Sequence, residues 1–464
     1  MRLLLRALSA FLLVASTSPA KPSPGNKQPN FLFLLVDDLG WADLACYGST
    51  FHETPHLDQL ARDGVRFTDA YAAASICSPT RASLMTGKHP VRVDITDWIP
   101  GAGDRERKLV TPRDTHQLAL EEVTIAEALR EGGYSTFYTG KWHLGGKDFG
   151  PDNQGFEHYY DPHQNPSRGS PGRGRTTGRR HATSDLTLQT KKFITAHHDV
   201  PFFAYLAYYD VHTPIIAEKK YQAHYTAKAS RLGPAPMAIP EHDGLSRPRQ
   251  DNAALATMVQ SVDDSVGALV AHLASLDILE NTYIFFFSDN GGLCTKRGPG
   301  PGCNLPLRAS KGWLYEGGIR VPLIVRQPHK VHAGSQPGDY VCSNDIYPTL
   351  LDLAGLPARP GQHADGRSFR DLLVGAKTRR APRSLYWHYP HYHGSTWSPG
   401  AAIRDGDWKL IEFYHHGKIE LYNLKDDIGE QNDLASIHPD RALALRQRLK
   451  SWQKEMGARL PVPR

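Results

Sequence analysis

Three runs of the chain are apolar at nearly every position: Phe31 to Val36, Phe202 to Tyr208 and Thr282 to Phe287. A strand covered on both faces requires that pattern, because successive side chains point to opposite sides of a sheet. Shorter strands are predicted at Val65 to Phe67 and Tyr134 to Tyr138. Between strands the apolar spacing lengthens to that of a helix. Thr54-Pro55 opens a helix that stops near Gly64, and Thr124 with Glu127 forms a capping box for one ending at Gly132-Gly133. Asn252 to Leu279 reads as the longest helix; Asn344 to Leu353 is shorter, with a bend expected at Pro348. Strands alternating with helices describe an α/β sheet covered on both sides. After Gly375 the rhythm changes to short strands polar on one face, at Leu385 to His388, Trp408 to Phe413 and Ile419 to Asn423, before a helix from Pro439 to Met456. A main unit over residues 21–375 and a smaller α+β unit over 376–464 are therefore expected.

The chemically capable residues gather just past the ends of these strands. Asp37 and Asp38 follow the first run, Lys141 and His143 the strand ending at Tyr138, Asp210 and His212 the second run, and Asp289 with Asn290 the third. Open α/β sheets bind ligands outside the carboxyl ends of their strands, so four such clusters describe one site. Asp37, Asp38, Asp289 and Asn290 offer oxygen ligands suited to a hard cation, Ca²⁺ or Mg²⁺. Read singly, an Asp pair after a strand is as often a turn or a helix cap as a ligand. Two acidic pairs ending two strands point to the metal, because clustered carboxylates repel unless a cation is bound. Lys141, His143, His212, Lys311 and Arg81 add fixed cations and titratable groups. That is the composition expected around a transferred group whose charge lies on peripheral oxygens.

Cys77 lies in the run Ala74-Ser75-Ile76-Cys77-Ser78-Pro79-Thr80-Arg81-Ala82-Ser83-Leu84-Met85-Thr86-Gly87. Ser78 can cap a helix, Pro79 suits its first turn and Gly87 can end it. Cys77 would then sit at a helix N-terminus, where unpaired N–H groups favour negative charge. Cys-x-Pro-x-Arg followed by Leu-x-Thr-Gly resembles the signature of type I, formylglycine-dependent sulfatases. The resemblance extends through Val36-Asp37-Asp38-Leu39-Gly40-Trp41, Gly140-Lys141-Trp142-His143-Leu144-Gly145, His212-Thr213-Pro214, Ser288-Asp289-Asn290-Gly291 and Lys311 to Pro322. Glu420 to Leu424 with Gly429-Glu430-Gln431-Asn432 is similar to the family's C-terminal strand and turn.

This resemblance implies an alkaline-phosphatase-like fold, its central mainly parallel sheet flanked by helices, with a smaller C-terminal α+β domain. It implies that a formylglycine-generating enzyme oxidises Cys77 to an aldehyde whose hydrate attacks sulfur. Ca²⁺, with Mg²⁺ less favoured, would be held by Asp37, Asp38, Asp289, Asn290 and the modified Cys77. Arg81 would stabilise the ionised nucleophile, Lys141 and Lys311 hold the sulfate oxygens, His212 protonate the leaving oxygen, and His143 take the second hydroxyl's proton. Two other readings stay open: a phosphonate or phosphate monoester hydrolase of the same superfamily, and a sulfated-glycan-binding protein without turnover.

Residues 1–20 read as a secretory signal: Arg2 and Arg6, an apolar stretch to Ala15, and small residues at Ser18-Pro19-Ala20. An exported protein, periplasmic or secreted, without a stable membrane anchor is expected. In that compartment Cys46, Cys294, Cys303 and Cys342 allow one or two disulfides, Cys294 with Cys303 being the most local pair. The formal charge of +6 is modest, but Arg168, Arg173, Arg175, Arg179 and Arg180 crowd a Gly/Ser/Pro-rich segment. That segment reads as a solvated loop or a polyanion contact. Nothing resembles a nucleic-acid module. Substrate contacts are expected from Trp98, which suits stacking on a sugar, and from His391 in His388-Tyr389-Pro390-His391-Tyr392-His393. The expected partner is a sulfated carbohydrate carrying galactose or N-acetylgalactosamine units.

Overall fold

The computed structural model describes residues 28–162, 182–376 and 380–464. The expected signal and the arginine-rich run lie outside the described residues. Seven strands form the main sheet: β1 (Asn30–Val36), β2 (Val65–Phe67), β3 (Ser135–Gly140), β4 (His158–Tyr160), β5 (Phe202–Ala207), β6 (Thr282–Ser288) and β7 (Leu323–Arg326). Their order is β2-β7-β6-β1-β5-β3-β4. Every neighbouring pair is parallel except those made by β7, which opposes both β6 and β2.

The alternation within β1 explains the two layers of core. Phe31, Phe33 and Leu35 point into one cluster, and Leu32, Leu34 and Val36 into the other. Helices α1 (Pro55–Asp63), α4 (Ala182–Ala196) and α5 (Ala253–Ser275) cover the second side. Helices α2 (Cys77–Thr86), α3 (Ile125–Glu131) and α6 (Ile346–Ala354) cover the first. The chain therefore has the α/β fold with a central mainly parallel sheet. Asn252 caps α5 by accepting from the Ala254 and Leu255 N–H groups, and the helix ends at Ser275, short of Leu279. Pro348 falls in the first turn of α6, where its missing N–H has no partner to lose, so the expected bend has no cause. At α3, Thr124 accepts from the Glu127 N–H at 3.2 Å and donates to the Gln154 carbonyl at 2.7 Å. Thr124→Ala should lower stability by about 1–2 kcal/mol without changing activity, read as a shifted denaturant midpoint.

A second, antiparallel sheet follows: β8 (Ser384–Tyr389), β9 (Gly400–Asp405), β10 (Trp408–Phe413) and β11 (Lys418–Asn423), paired in that order. Strand β9 was not expected, because Gly400-Ala401-Ala402 carries no large apolar signal. Nor is one face of this sheet left to solvent. Trp387, Ile411 and Phe413 pack on Tyr71, Ile76 and Trp313, while Ala401, Leu410 and Leu421 lie beneath α7 (Pro439–Met456). The polar residues that suggested a solvated face are instead buried in ion pairs, Lys409 against Glu316 and Glu430 at 2.9 Å each. The disulfide expectation also fails. All five cysteines are free thiols, and Cys294 Sγ donates to the Ala309 carbonyl at 3.0 Å. No helix among the described residues is long and apolar enough to cross a membrane.

Candidate active site

The ends of four parallel strands are tied together by backbone hydrogen bonds. The Asp37 N–H donates to the Asp210 carbonyl (3.1 Å), Asp289 to Val36 (3.2 Å) and Lys141 to Ala207 (3.0 Å). The Asp38 N–H donates to Asp289 Oδ1 at 3.2 Å. Gly140 ends β3 at φ 99°, and a Cβ there would lie 1.8 Å from the Ala207 oxygen, so only glycine lets the chain turn Lys141 inward. Asp38 (φ 65°) and His143 (φ 61°) hold the left-handed conformation without being glycine, a strain often found at functional sites.

Helix α2 brings Cys77 to this rim. It begins two residues earlier than its sequence suggested: Ile76 is the N-cap, without a side-chain bond, and Cys77 opens the first turn. Ser78 is therefore not the cap; its Oγ accepts from the Ile99 N–H at 3.2 Å. Cys77 is 1% exposed, its Sγ 3.6 Å from Asp37 Oδ1 and 3.3 Å from Lys311 Nζ. Burial pushes its thiol up to about 12, so the sulfur itself is protonated and a poor nucleophile at neutral pH.

Three cations face three carboxylates around Cys77. Arg81 reaches Asp289 Oδ2 through Nε (2.9 Å) and Nη2 (2.8 Å), Lys141 reaches Asp37 at 2.6 Å, and Lys311 reaches Asp38 at 2.7 Å. Two like charges 4 Å apart at an effective dielectric near 20 repel by about 4 kcal/mol, so compensation of this kind is required. The chain supplies it without a metal, and carboxylate repulsion is no longer the argument for one. Burial alone would raise Asp37, yet Lys141, His212, Arg81 and Lys311 hold it well below the usual carboxylate range. Burial and the neighbouring Asp37 push Asp289 up to about 6. Burial opposes the Lys311 charge, but Asp38 and the Cys77 sulfur keep its pKa above the ordinary lysine value.

The case for a cation passes to oxygens without partners. Asp38 Oδ2 and Asn290 Oδ1 are buried and accept no hydrogen bond among the described residues. Asp37, Asp38, Cys77 and His212 each place one ligand atom within 4.8 Å of the others. His212 enters that group although the sequence suggested a proton donor, whereas Asp289 turns one oxygen to Arg81 and the other to the Asp38 N–H. The oxygen-rich set fits a hard divalent cation.

The two histidines are held in defined tautomers by carbonyls that the sequence did not single out. His212 Nδ1–H donates to the Thr213 carbonyl at 2.6 Å, leaving Nε2 3.7 Å from Asp38 Oδ2. His143 Nε2–H donates to the Ile99 carbonyl at 2.6 Å, and its Nδ1 has no partner. Burial, with Lys141 adding to it, lowers His143 to about 3, so its ring is neutral. Asp37, Trp98, Lys141, His143 and His212 line one cavity of about 680 Å³, together with Tyr159 and Tyr209. Trp98 is thus brought to the site. His391 is not: it is 2% exposed and bonded to Thr96 Oγ1 at 2.9 Å, which corrects its expected contact with substrate. Its neighbour His393 comes closer, packed against Gly312 beside Lys311.

Comparison with known proteins identifies the family. The family model described as Sulfatase matches residues 29–356, and that of N-sulphoglucosamine sulphohydrolase, C-terminal, matches 309–455. Arylsulfatase A of Homo sapiens is 32% identical over 96% of this chain and 90% of its own. N-acetylgalactosamine-6-sulfatase of Canis lupus familiaris is 30% identical over 81% of this chain and 72% of its own. The crystal structure of Ps i-CgsB in complex with k-i-k-neocarrahexaose superposes with a TM-score of 0.73, at 28% identity over 92% of this chain and 93% of that one.

Proposed function

The chain belongs to the sulfatase family and is a sulfuric ester hydrolase, and from that premise we propose that it cleaves O-sulfate from galactose or N-acetylgalactosamine units of a glycan. One observation carries the reading: Cys77 at the start of α2 lies among Arg81, Lys141 and Lys311, at the joined ends of four strands. A relative named for N-acetylgalactosamine-6-sulfate and a neighbour holding a neocarrahexaose support the sugar class.

In this reading a maturation enzyme converts Cys77 to formylglycine, which supplies a geminal diol: one hydroxyl attacks sulfur and the other allows sulfate to be expelled. Asp37, Asp38, Asp289, Asn290 and the oxygen at position 77 would hold Ca²⁺, rather than the smaller Mg²⁺, as a Lewis acid. Because three side-chain cations already balance three carboxylates, a dication would leave the pocket net positive toward an anionic ester. Lys141 and Lys311 hold the sulfate oxygens, and Arg81 keeps Asp289 in place while adding positive charge near position 77. In its doubly protonated form His212 gives the Nε2 proton to the leaving oxygen and is left as the Nδ1–H tautomer, Nδ1–H being committed to Thr213 throughout. His143 accepts a proton at Nδ1, since Nε2 is committed to Ile99. Trp98 offers an aromatic face to the sugar ring. Export through residues 1–20 belongs to the same reading. So does a division at 375/376, which the change from a mainly parallel to an antiparallel sheet supports.

Matched esters of one alcohol test the chemistry. Protein made with its maturation enzyme should hydrolyse p-nitrophenyl sulfate over p-nitrophenyl phosphate by at least about tenfold in kcat/KM, or ~1.4 kcal/mol in the transition state. N-acetylgalactosamine 6-sulfate and galactose 6-sulfate should be turned over as well. Preference for the phosphate would move the assignment to the phosphate or phosphonate hydrolases.

A further inference from the structure

A second cavity, of about 700 Å³, is lined by cations that the chemistry above does not use. Arg107, Lys296 and Arg297 stand in its wall with a single carboxylate, Asp243. Many surface arginines among the described residues are already engaged, as Arg92 is with Asp365 and Arg448 with Asp405. These three cations have no ion pair among the described residues, and the Arg107 guanidinium lies over the Tyr392 ring at 5.1 Å. Unneutralised cations around a concavity this size provide a field for an anion and room for one or two sugar rings.

Its wall also carries neutral groups in search of partners. Thr396 Oγ1 and His415 Nε2 both line the cavity, both are buried atoms, and neither makes a hydrogen bond. Leaving such groups unpaired costs about 1–3 kcal/mol each unless something supplies the bond. Both atoms lie behind the cavity surface, so the cations rather than these groups face a ligand.

Two contacts tie the wall of this cavity to the elements that carry Lys311. His393 belongs to its wall, and a Cβ on Gly312, the residue after Lys311, would lie 2.2 Å from His393 Nδ1. On the other side, Lys296 lies six residues beyond Asn290, on a segment whose Gly292 carbonyl accepts the Lys311 N–H at 3.1 Å. Lys311 thus has the proposed sulfate site on one side and this cavity behind the His393 ring on the other.

We propose that this cavity is a second anion subsite for the same glycan, taking a sulfated sugar unit beyond the one whose ester is cleaved. The inference rests on the sulfated-glycan reading and adds that the substrate is an oligosaccharide with more than one sulfate. Lys296 and Arg297 are then specificity residues, without a part in bond cleavage.

The test is the double variant Lys296→Ala/Arg297→Ala, both residues being exposed and without an ion pair among the described residues. Its kinetics are compared on p-nitrophenyl sulfate and on a galactan hexasaccharide sulfated at several units. KM for the hexasaccharide should rise about tenfold or more, as expected for losing charge-assisted contacts, with kcat within about twofold. Kinetics on p-nitrophenyl sulfate should not change. In parallel, calorimetry on the Cys77→Ala protein should show multiply sulfated hexasaccharide binding more tightly than its singly sulfated counterpart, a preference that the added double variant abolishes. Equal losses on both substrates, or equal binding of both oligosaccharides, overturn the proposal. Wild-type protein inactive on every sulfate ester would count against the catalytic reading instead, and the calorimetry would still decide the subsite.

Discussion

Cys77→Ser is expected to release at most one equivalent of alcohol per chain, and Cys77→Ala none above background, a loss in turnover on the order of 10⁴-fold or more. The serine hydroxyl would stand where Sγ now lies, 3.6 Å from Asp37 and 3.3 Å from Lys311, so it is placed to attack. A serine has one hydroxyl only. Once that oxygen is esterified, no neighbouring hydroxyl remains to collapse to a carbonyl and expel sulfate, and the enzyme stalls. The unmodified thiol is no substitute, since burial keeps it protonated at neutral pH. A quench assay that counts alcohol against protein makes the check, with a mass spectrum of the tryptic peptide Phe67 to Arg81 recording the state of position 77. Steady multiple turnover by Cys77→Ser would sink the mechanism. An intact thiol in active wild-type protein would do the same.

The catalytic rim was legible in the sequence because parallel strands obey a simple rule. Three of them are short, nearly wholly apolar runs, and whatever polar residue follows a parallel strand must emerge at the same edge of the sheet. Asp37, Lys141, His212 and Asp289 could be grouped on that basis before any coordinates. Residues outside a regular element were less readable. His391 and His393 are two positions apart, and within a strand they would share a face. Strand β8 ends at Tyr389, however, and beyond it the chain turns His391 into the interior against Thr96 while His393 reaches the cavity. Ser78 was misplaced as a cap because Ile76 takes the extended conformation (φ −147°) and starts the helix without a polar side chain. The carbonyls of Ile99 and Thr213, which fix the two histidine tautomers, leave no mark in sequence at all. In the C-terminal sheet, Lys409 pairs with Glu316 and Glu430, and Glu412 with Arg446 and Lys450. These partners lie far along the chain, and sequence spacing does not reveal long-range ion pairs.

Those buried charges make the second large prediction. Lys409→Ala should destabilise the protein by about 3–5 kcal/mol near pH 8, because it strands two carboxylates in the seam between the sheets. Lys409, Glu316 and Glu430 are fully buried, with Lys409 2.9 Å from each partner. Burial would raise Glu316, but Lys409, Arg320 and Arg404 bring it down to about 2; burial and the Glu316 charge push Glu430 up to about 7. Without Lys409 both carboxyls rise, Glu316 from its depressed position and Glu430 further above its unfolded value of about 4.3, so between those two Glu430 values the folded chain binds more protons than the unfolded one. Stability of the variant must then fall as pH rises, and its deficit against wild type should be smaller at about pH 5.5 than at about pH 8. Urea unfolding at the two pH values reads this directly. Lys409→Met/Glu430→Gln should recover much of the loss, because Glu316 keeps Arg320 at 3.2 Å once the second carboxylate is gone. A deficit under about 1 kcal/mol, or one independent of pH, would mean that apolar packing around Trp387 and Trp313 holds the sheets together without these charges.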